Sequence, residues 1–585
     1  MGNLSKPLQI FLHGIWFLLF AMAVLLYKER LFADASYYFF HTINSGWFHV
    51  EHGRSVLALS QIVPLIGYYL HLPIKILLIL GSVGHEVFYY TVFLLVFYKL
   101  KDQAGGIAIL LIHVIGQLWL YYSPMLEICY GAALAILFYS ILKSGKYTDD
   151  KWLILIILVQ WLVMTSHLEN FILIAVPIAL DIINRGFQKR IHLITISFMV
   201  LGLVLEFLTM SEYELGKMNS SNYDPQVGLV NLLSGEYLLS LWTLFINYFP
   251  ELVIMFLFAI SYFIVKTEFK KLLVLLGSVL AIIMAVNKAA LANEFTRYYE
   301  SMYNPLVGLI VLFFVYEIYN KQTQKVKNIL TVVLCLMAIF RIYWTWDYGK
   351  PLRERSAQME RNVDYLQSLG HTKYLVDKEN YQRKYSHVAW SNPIETLLYS
   401  AIDGKENCLT IINYDDYTFN KNARKLNDSN YLFRRYEIEN YDFLNPRFFH
   451  LKKEEYHTVN NPGFIKNYKD LAKNIKVKVL SHQVGLIGDT TYVRVRIENN
   501  NVEKLPSHLS EQIYLSYHWY QNNELVQWDG IRTPIEVDVF GQYEQDIAVA
   551  FPSEIGVYEL MPDIVLEGKD WFYLSERSLV SVVPF

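Results

Sequence analysis

Apolar runs of about 20 residues recur along the first 345 residues of this chain, and few charged side chains interrupt them. A helix needs about 20 apolar residues to cross the hydrocarbon core of a bilayer, so these runs predict a polytopic α-helical membrane domain. We expect about eleven spans. They run over residues 7–27, 76–98, 104–122, 128–142, 152–166, 169–184, 191–210, 240–264, 270–287, 305–319 and 328–345.

The net charge and the cysteine content exclude several other classes of protein. The 585-residue chain is 54% hydrophobic and has a formal net charge of −3. It therefore lacks the basic excess of a nucleic-acid-binding protein and the high net charge of a disordered one, and we expect no nucleic-acid partner. Its three cysteines are far apart and predict no disulfide framework.

The basic loops predict which face is cytoplasmic, because such loops hold an excess of Lys and Arg. Most of the loops rich in Lys and Arg fall on one face of the membrane if residues 55–73 do not cross it. Pro64 in that segment favours an interfacial or re-entrant piece. Lys28 and Arg30 oppose this scheme. It places the N-terminus in the cytoplasm and everything after residue 345 outside.

The first outer loop, LFADASYYFFHTINSGWFHVEHGR, is rich in aromatic and ionisable residues. Phe40, Ile43 and Trp47 recur at helical spacing and predict an amphipathic helix at the headgroup level. Asp34 precedes that helix, where a substrate carried on a lipid would arrive. A carboxylate there can act as general base toward an acceptor hydroxyl, the alternative being a helix cap or a solvated acid.

These features together resemble a known superfamily. An early outer-face acid (Asp34 in FADASYY), an interfacial loop helix, about eleven spans and an outer C-terminal globular domain resemble the GT-C integral-membrane glycosyltransferases. The resemblance covers residues 1 to about 350. It implies a polyprenyl-phosphate-linked sugar as donor, with Asp34 at the active centre. The implied partners are that donor, a glycan, lipid or protein acceptor, and membrane lipid.

The end of the same loop, HVEHGR, groups four further candidates for substrate binding. They are His49, Glu51, His52 and Arg54. Imidazole and carboxylate are competent ligands for a divalent ion, so Mg²⁺ or Mn²⁺ is a candidate cofactor. The alternative is a wet polar loop without a ligand, and the cofactor is left open.

Two turns on the same predicted face also carry acids. Glu127 lies in YYSPMLEICYG, and His167 and Glu169 lie in MTSHLENF. Such carboxylates can share a metal ion or divide base and positioning roles, and we take Glu127 and Glu169 as catalytic candidates with His167 beside them. Ordinary turn polarity is the alternative.

Arg297 and Glu300, in NEFTRYYESMYNP, precede a predicted span. The forked donors of an arginine suit a lipid-linked phosphate, although a snorkelling side chain has the same position. His85 and Glu86 lie inside a span, where ionisable groups usually face a cavity or a partner. We expect them to line the pocket or to pair with a neighbouring helix.

These positions permit a direct displacement. Asp34 would take the proton of the acceptor hydroxyl, and Arg297, Arg54 or a bound cation would balance the charge of the departing phosphate. Displacement of this kind inverts the anomeric centre.

The chain after residue 345 has a different pattern. Residues 346–473 mix helical and strand periodicity and predict a small extracytoplasmic α/β module without a catalytic motif. Residues 474–585 alternate polar and apolar residues, as in TYVRVRIEN, and predict an immunoglobulin-like β-sandwich. That part resembles an immunoglobulin-like domain of bacterial surface-polysaccharide enzymes, which implies a bacterial envelope.

The leading expectation is a glycosyltransferase in the bacterial cytoplasmic (inner) membrane. A glycan polymerase or ligase would also use outer arginines and a lipid-linked substrate. A transporter or flippase predicts internal repeats and broken helices near the midplane, and the two halves show no convincing repeat. A non-catalytic scaffold leaves the acids on several outer turns unexplained.

Overall fold

A computed structural model describes most of the chain, in two compact units. The described residues are 4–210, 234–286, 297–376, 389–413, 428–432, 441–459, 472–481, 484–500, 505–507, 513–539, 541–567, 570–574 and 576–584. The first unit comprises Met1–Lys350, Pro393–Cys408 and Asn440–His450. The second comprises Pro351–Asn392, Leu409–Glu439 and Leu451–Phe585.

Helices dominate the described part of the first unit. In chain order, the helices of both units are α1 (Lys6–Leu25), α2 (Asp34–Ser45), α3 (Ala58–Tyr69), α4 (Ile74–Leu94), α5 (Gln103–Ile115), α6 (Glu127–Ser144), α7 (Asp150–Met164), α8 (Ile172–Arg185), α9 (Lys189–Thr209), α10 (Gly235–Tyr248), α11 (Pro250–Val265), α12 (Phe269–Val286), α13 (Arg297–Leu312), α14 (Gln324–Tyr348), α15 (Lys350–Ser368) and α16 (Asn392–Ala401).

Among the described residues, seven helices are long and apolar enough to cross a membrane, or eight if one bent pair counts as a span. The seven are Lys6–Leu25, Ile74–Lys99, Glu127–Ser144, Lys189–Thr209, Phe269–Val286, Tyr299–Lys321 and Gln324–Ser368. This agrees with a polytopic helical membrane protein.

In place of one continuous helix, the expected span 240–264 contains that bent pair. Helices α10 and α11 meet at an angle of 110°. Pro250, at the first position of α11, has no N–H to donate to the preceding turn and keeps Phe249 out of the helical conformation. The apolar run therefore continues through a sharp bend.

Helix α3 occupies the segment that the sequence predicts not to cross. Its 12 residues extend about 18 Å, well short of the roughly 30 Å of a hydrocarbon core. It packs so closely on α4 that a Cβ on Gly84 would lie only 2.4 Å from the Ser60 carbonyl oxygen. The missing side chain of Gly84 thus lets two backbones approach.

The predicted loop helix is present as α2, but its aromatic residues are not interface anchors. Phe39 and Phe40 are buried, the former against Gly81 of α4 and the latter 5.3 Å from the ring of Phe449. Trp47, just beyond the helix, remains 63% exposed. Burial within the protein has replaced the expected burial in headgroups.

Strands belong to the second unit. They are β1 (Lys373–Val376), β2 (Thr410–Asn413), β3 (His457–Val459), β4 (Ile475–Val479), β5 (Val484–Leu486), β6 (Thr490–Asn499), β7 (Ile513–Gln521), β8 (Glu524–Gln527), β9 (Thr533–Pro534), β10 (Gly541–Ala550), β11 (Gly556–Leu566), β12 (Asp570–Trp571) and β13 (Ser578–Val583).

These strands form three sheets. A parallel sheet has the order β2-β1-β3, a second sheet has the order β10-β6-β4, and the third has the order β5-β13-β11-β7-β8. Apolar side chains of the second and third sheets share one core, in which Trp519 is fully buried. The C-terminal region is therefore rich in β-structure, as the alternating sequence predicts.

Candidate functional site

Asp34 and Arg297 form an ion pair between two helices. Asp34 is the first residue of α2, and Arg297 is the first described residue of α13. Arg297 Nη1 donates both to the Asp34 carboxylate and, at 2.9 Å, to Ser123 Oγ. The two side chains keep 30% and 16% of their exposure, so the pair is partly accessible to a ligand.

The backbone before Asp34 is strained and held from a distant part of the chain. Ala33 has a φ of 54°, which is unfavourable for a residue with a Cβ. Its N–H donates to Glu395 Oε1 at 2.8 Å, and Glu395 belongs to α16. Ser123 Oγ donates to the Phe32 carbonyl at 3.0 Å on the other side. These bonds hold the backbone of the two residues that precede Asp34.

Tyr38 lies one turn after Asp34 and is surrounded by charged groups. Burial raises the pKa of Tyr38 well above its ordinary value, and the carboxylates of Glu127, Asp34 and Glu51 raise it further. The guanidinium of Arg54 acts in the opposite direction. Four of the predicted site residues are therefore within electrostatic range of one buried phenol.

Arg54 and Glu127 form a second ion pair in this region. Arg54 Nη1 donates to Glu127 Oε1, and the side chains keep 19% and 10% exposure. Glu127 is the first residue of α6, where the positive end of the helix dipole also favours a carboxylate. Two of the three predicted catalytic acids, Asp34 and Glu127, thus have a guanidinium partner.

Glu51 is the centre of a polar cluster. Tyr37 donates its hydroxyl to Glu51 Oε1, and Nε2 of His49 and of His52 lie 3.5 and 3.9 Å from the Glu51 carboxylate. Burial opposes the ionisation of Glu51, but the bonds with His49 and Tyr37 outweigh it and lower the pKa. His41, which the sequence did not single out, stacks on His49 at 4.3 Å.

The predicted metal grouping in HVEHGR is not compact. Within the described residues, the ligand atoms of His49, Glu51 and His52 do not all come within 4.8 Å of one another. Glu51 instead takes the hydroxyl of Tyr37, as above. The geometry favours a hydrogen-bonded cluster over a three-ligand metal centre here.

The second predicted turn lies beside the start of α6. His167 Nδ1 contacts the Glu169 carboxylate. The neighbouring Asn170 donates from Nδ2 to the Ile128 carbonyl at 3.2 Å, so this turn is attached next to Glu127. Glu169 thus contacts His167 in its own turn. The link to the turn that carries Glu127 is the hydrogen bond of Asn170.

Glu300 serves as an anchor for backbone. Its carboxylate accepts the N–H groups of Leu118 and, at 2.9 Å, Leu120, and the residue is buried. These bonds hold the turn that leads to Ser123, the partner of Arg297. Glu300 therefore supports the Arg297 environment through the backbone.

His85 and Glu86 pair with neighbouring helices. Glu86 accepts from Arg30 at 3.1 Å and contacts His113 Nε2 at 2.6 Å, while His85 Nδ1 contacts the Tyr130 hydroxyl at 2.9 Å. Of the two expectations for this pair, the observed contacts match interhelical pairing. Glu86 also supplies the buried guanidinium of Arg30 with an ion-pair partner.

Comparisons with known proteins add no relative. No family model, no curated protein and no solved structure matches this chain.

Proposed function

We propose that the chain is an integral-membrane glycosyltransferase of the GT-C type. It would transfer a sugar from a polyprenyl-phosphate-linked donor to a glycan, lipid or protein acceptor at the outer face of a bacterial cytoplasmic membrane. The long apolar helices support the membrane assignment, and the grouping of Asp34, Arg297, Arg54 and Glu127 supports the chemistry.

The observation that carries this proposal is the contact between Asp34 and Arg297. Group transfer from a phosphate needs a base for the acceptor proton and a cation for the departing charge. Here a carboxylate and a guanidinium with these properties lie within one hydrogen bond of each other, and both retain access. A planar guanidinium also matches the paired oxygens of a phosphate.

The proposed reaction begins when the donor phosphate takes Arg297 away from Asp34. The acceptor oxygen then bonds to the anomeric carbon while the bond from that carbon to the phosphate oxygen breaks. Asp34 takes the acceptor proton, and Arg297 balances the charge left on the polyprenyl phosphate. The anomeric configuration inverts, because the acceptor attacks opposite the leaving group.

The finer architecture is part of the same proposal. The shorter helices with apolar sequences, such as α5 and α7, would complete about eleven spans together with the long ones. The two β-sheets with their common core would form an immunoglobulin-like sandwich. The N-terminus would be cytoplasmic and the second unit extracytoplasmic.

The test is sugar transfer by the purified full chain in liposomes, with a panel of polyprenyl-phosphate sugars and an envelope-glycan acceptor. We expect transfer with at least one donor, and Asp34→Asn should reduce it about 10²-fold to 10⁴-fold. Asp403→Asn, an exposed acid in the same unit, is the matched control and should transfer normally. Full activity of the Asp34→Asn variant would refute the assignment, and movement of the donor across the bilayer without transfer would favour a flippase.

A further inference from the structure

A cluster of two histidines and a glutamate lies at the beginning of two adjacent strands in the second unit. Strands β1 and β3 are parallel neighbours, with Tyr374 opposite His457. Three residues before this pair, just ahead of the two strands, His371 contacts Glu454. The cluster of His371, Glu454 and His457 therefore depends on strand pairing between segments that are 83 residues apart.

The three side chains converge on one carboxylate oxygen. His371 Nδ1 and His457 Nε2 lie 3.0 and 3.5 Å from Glu454 Oε2. The two imidazole rings stack with centroids 3.4 Å apart and planes inclined by 20°. One ligand atom from each residue lies within 4.8 Å of the others, and within the described residues this is the one such group of three or more.

The second oxygen of Glu454 is fixed by its neighbour. Glu454 Oε1 accepts the N–H of Thr372 at 2.6 Å and the Thr372 hydroxyl at 2.7 Å. Burial opposes ionisation of Glu454, but the bonds from Thr372 and His371 outweigh it and lower the pKa. With Oε1 held by Thr372, Oε2 is left toward the two imidazoles. Outer contacts of this kind orient the ligands of metal sites.

We propose that His371, Glu454 and His457 bind a divalent transition-metal ion, with zinc as the preferred occupant. Ligand atoms at about 2.05 Å from a tetrahedral zinc are roughly 3.3 Å apart, which lies between the two nitrogen-to-oxygen distances observed here. Two imidazoles favour zinc over magnesium or calcium, which prefer oxygen ligands. The histidines retain 41% and 38% exposure, so a water can occupy the fourth position.

The test is zinc binding by the purified full chain in detergent. After equilibration with zinc and removal of loosely held metal, the bound zinc is counted for each variant. The double variant His371→Ala/His457→Ala should hold one zinc fewer than the wild type. His450→Ala, which removes an exposed histidine in the first unit, should lose none. Equal zinc content in the double variant and the wild type would overturn the proposal.

Three milder variants keep the result independent of misfolding. Glu454→Gln retains the shape of the side chain but removes its charge, and it should also lose one zinc. Thr372→Val should weaken binding about 10-fold to 100-fold, while Thr372→Ser should restore it. Substituted Co²⁺ should show the visible absorption of a tetrahedral nitrogen and oxygen site in the wild type, and its absence would also contradict the assignment.

Discussion

Arg297 donates to the carboxylate of Asp34, although 263 residues separate them in the chain. Asp34 stands at the first position of α2, where the helix dipole favours a negative group. Arg297, in α13, gives this carboxylate a cationic partner and also donates to Ser123 Oγ. Under the proposed mechanism, an arriving phosphate would meet the positive end of α2 as well as the guanidinium.

Replacing Arg297 should slow transfer more than it weakens binding. Under the proposed mechanism the guanidinium balances charge that develops as the phosphate leaves, so Arg297→Gln should lower kcat by about 10²-fold to 10³-fold. Arg297→Lys should recover only part of the rate, because a lysine cannot bind two oxygens in a fork. Initial rates against donor concentration give both constants. Arg190→Gln, at an exposed position, is the control, and an unchanged kcat in Arg297→Gln would contradict the role.

Breaking the pair of Arg54 and Glu127 should destabilise the fold. Arg54→Met leaves a mostly buried carboxylate without its cation and should cost about 3 kcal/mol. The second change, Glu127→Met, made in the same chain, should restore part of that loss. Thermal unfolding of the two single variants and the double variant measures the coupling. Additive losses would show that the contact contributes little.

Substitutions of Ala33 test whether its positive φ strains the backbone before Asp34. Glycine tolerates a positive φ, so Ala33→Gly should leave stability unchanged or raise it by about 1 kcal/mol. Ala33→Val should cost about 1–3 kcal/mol, since a branched side chain is worse at the φ of 54°. Thermal unfolding distinguishes the two. Equal losses in both variants would indicate that the methyl group of Ala33, and not the backbone angle, matters.

The buried imidazole of His41 should make the folded protein less stable in mild acid. Burial first, and His49 second, lower the pKa of His41 from 6.5 to about 3. Between pH 6.5 and about pH 3 the His41 imidazole is therefore protonated in the unfolded chain but neutral in the folded one. The free energy of unfolding falls as the pH decreases through this range. At about pH 5 the loss should be roughly 2 kcal/mol.

The His41→Phe variant should lack this component. Its melting temperature should fall less between about pH 7.5 and about pH 5 than that of the wild type. His450→Phe, which changes an exposed histidine, should keep the wild-type pH dependence. The same slope in His41→Phe and wild type would exclude His41 as the titrating group.

Two glycines in apolar helices should respond differently to alanine. A Cβ on Gly84 meets the Ser60 carbonyl oxygen at 2.4 Å, so Gly84→Ala must push α3 away from α4 and should cost about 1–3 kcal/mol. A Cβ on Gly14 meets nothing within 4 Å, and Gly14→Ala should be neutral or slightly stabilising. Comparing their melting temperatures tests the close packing of the two helices.

Local patterns predict the elements well. The alternating TYVRVRIEN becomes β6, as its pattern predicts. The sequence also singled out Asp34 and Arg297, because each is an ionisable residue next to an apolar run. Their direct contact follows from helix packing, which no local pattern encodes.

The parts that sequence reasoning missed depend on distant contacts. Glu395 lies in a segment with an ordinary helical pattern, yet it holds the backbone of Ala33. Tyr38 resembled an interface aromatic, and only the packing of α2 inside the protein shows that it is surrounded by acids. The bend at Pro250 was missed because the mean hydropathy of a segment does not depend on whether a proline inside it lacks an N–H.

Glu395 has a consequence for how the protein is made. The first unit needs Pro393–Cys408 and Asn440–His450, so its assembly waits until the ribosome has translated well past Lys350. Those 100 residues from Pro351 to His450 take roughly 5–20 s at typical elongation rates. Until residue 395 has been translated, the turn at Ala33 lacks the carboxylate that accepts its N–H.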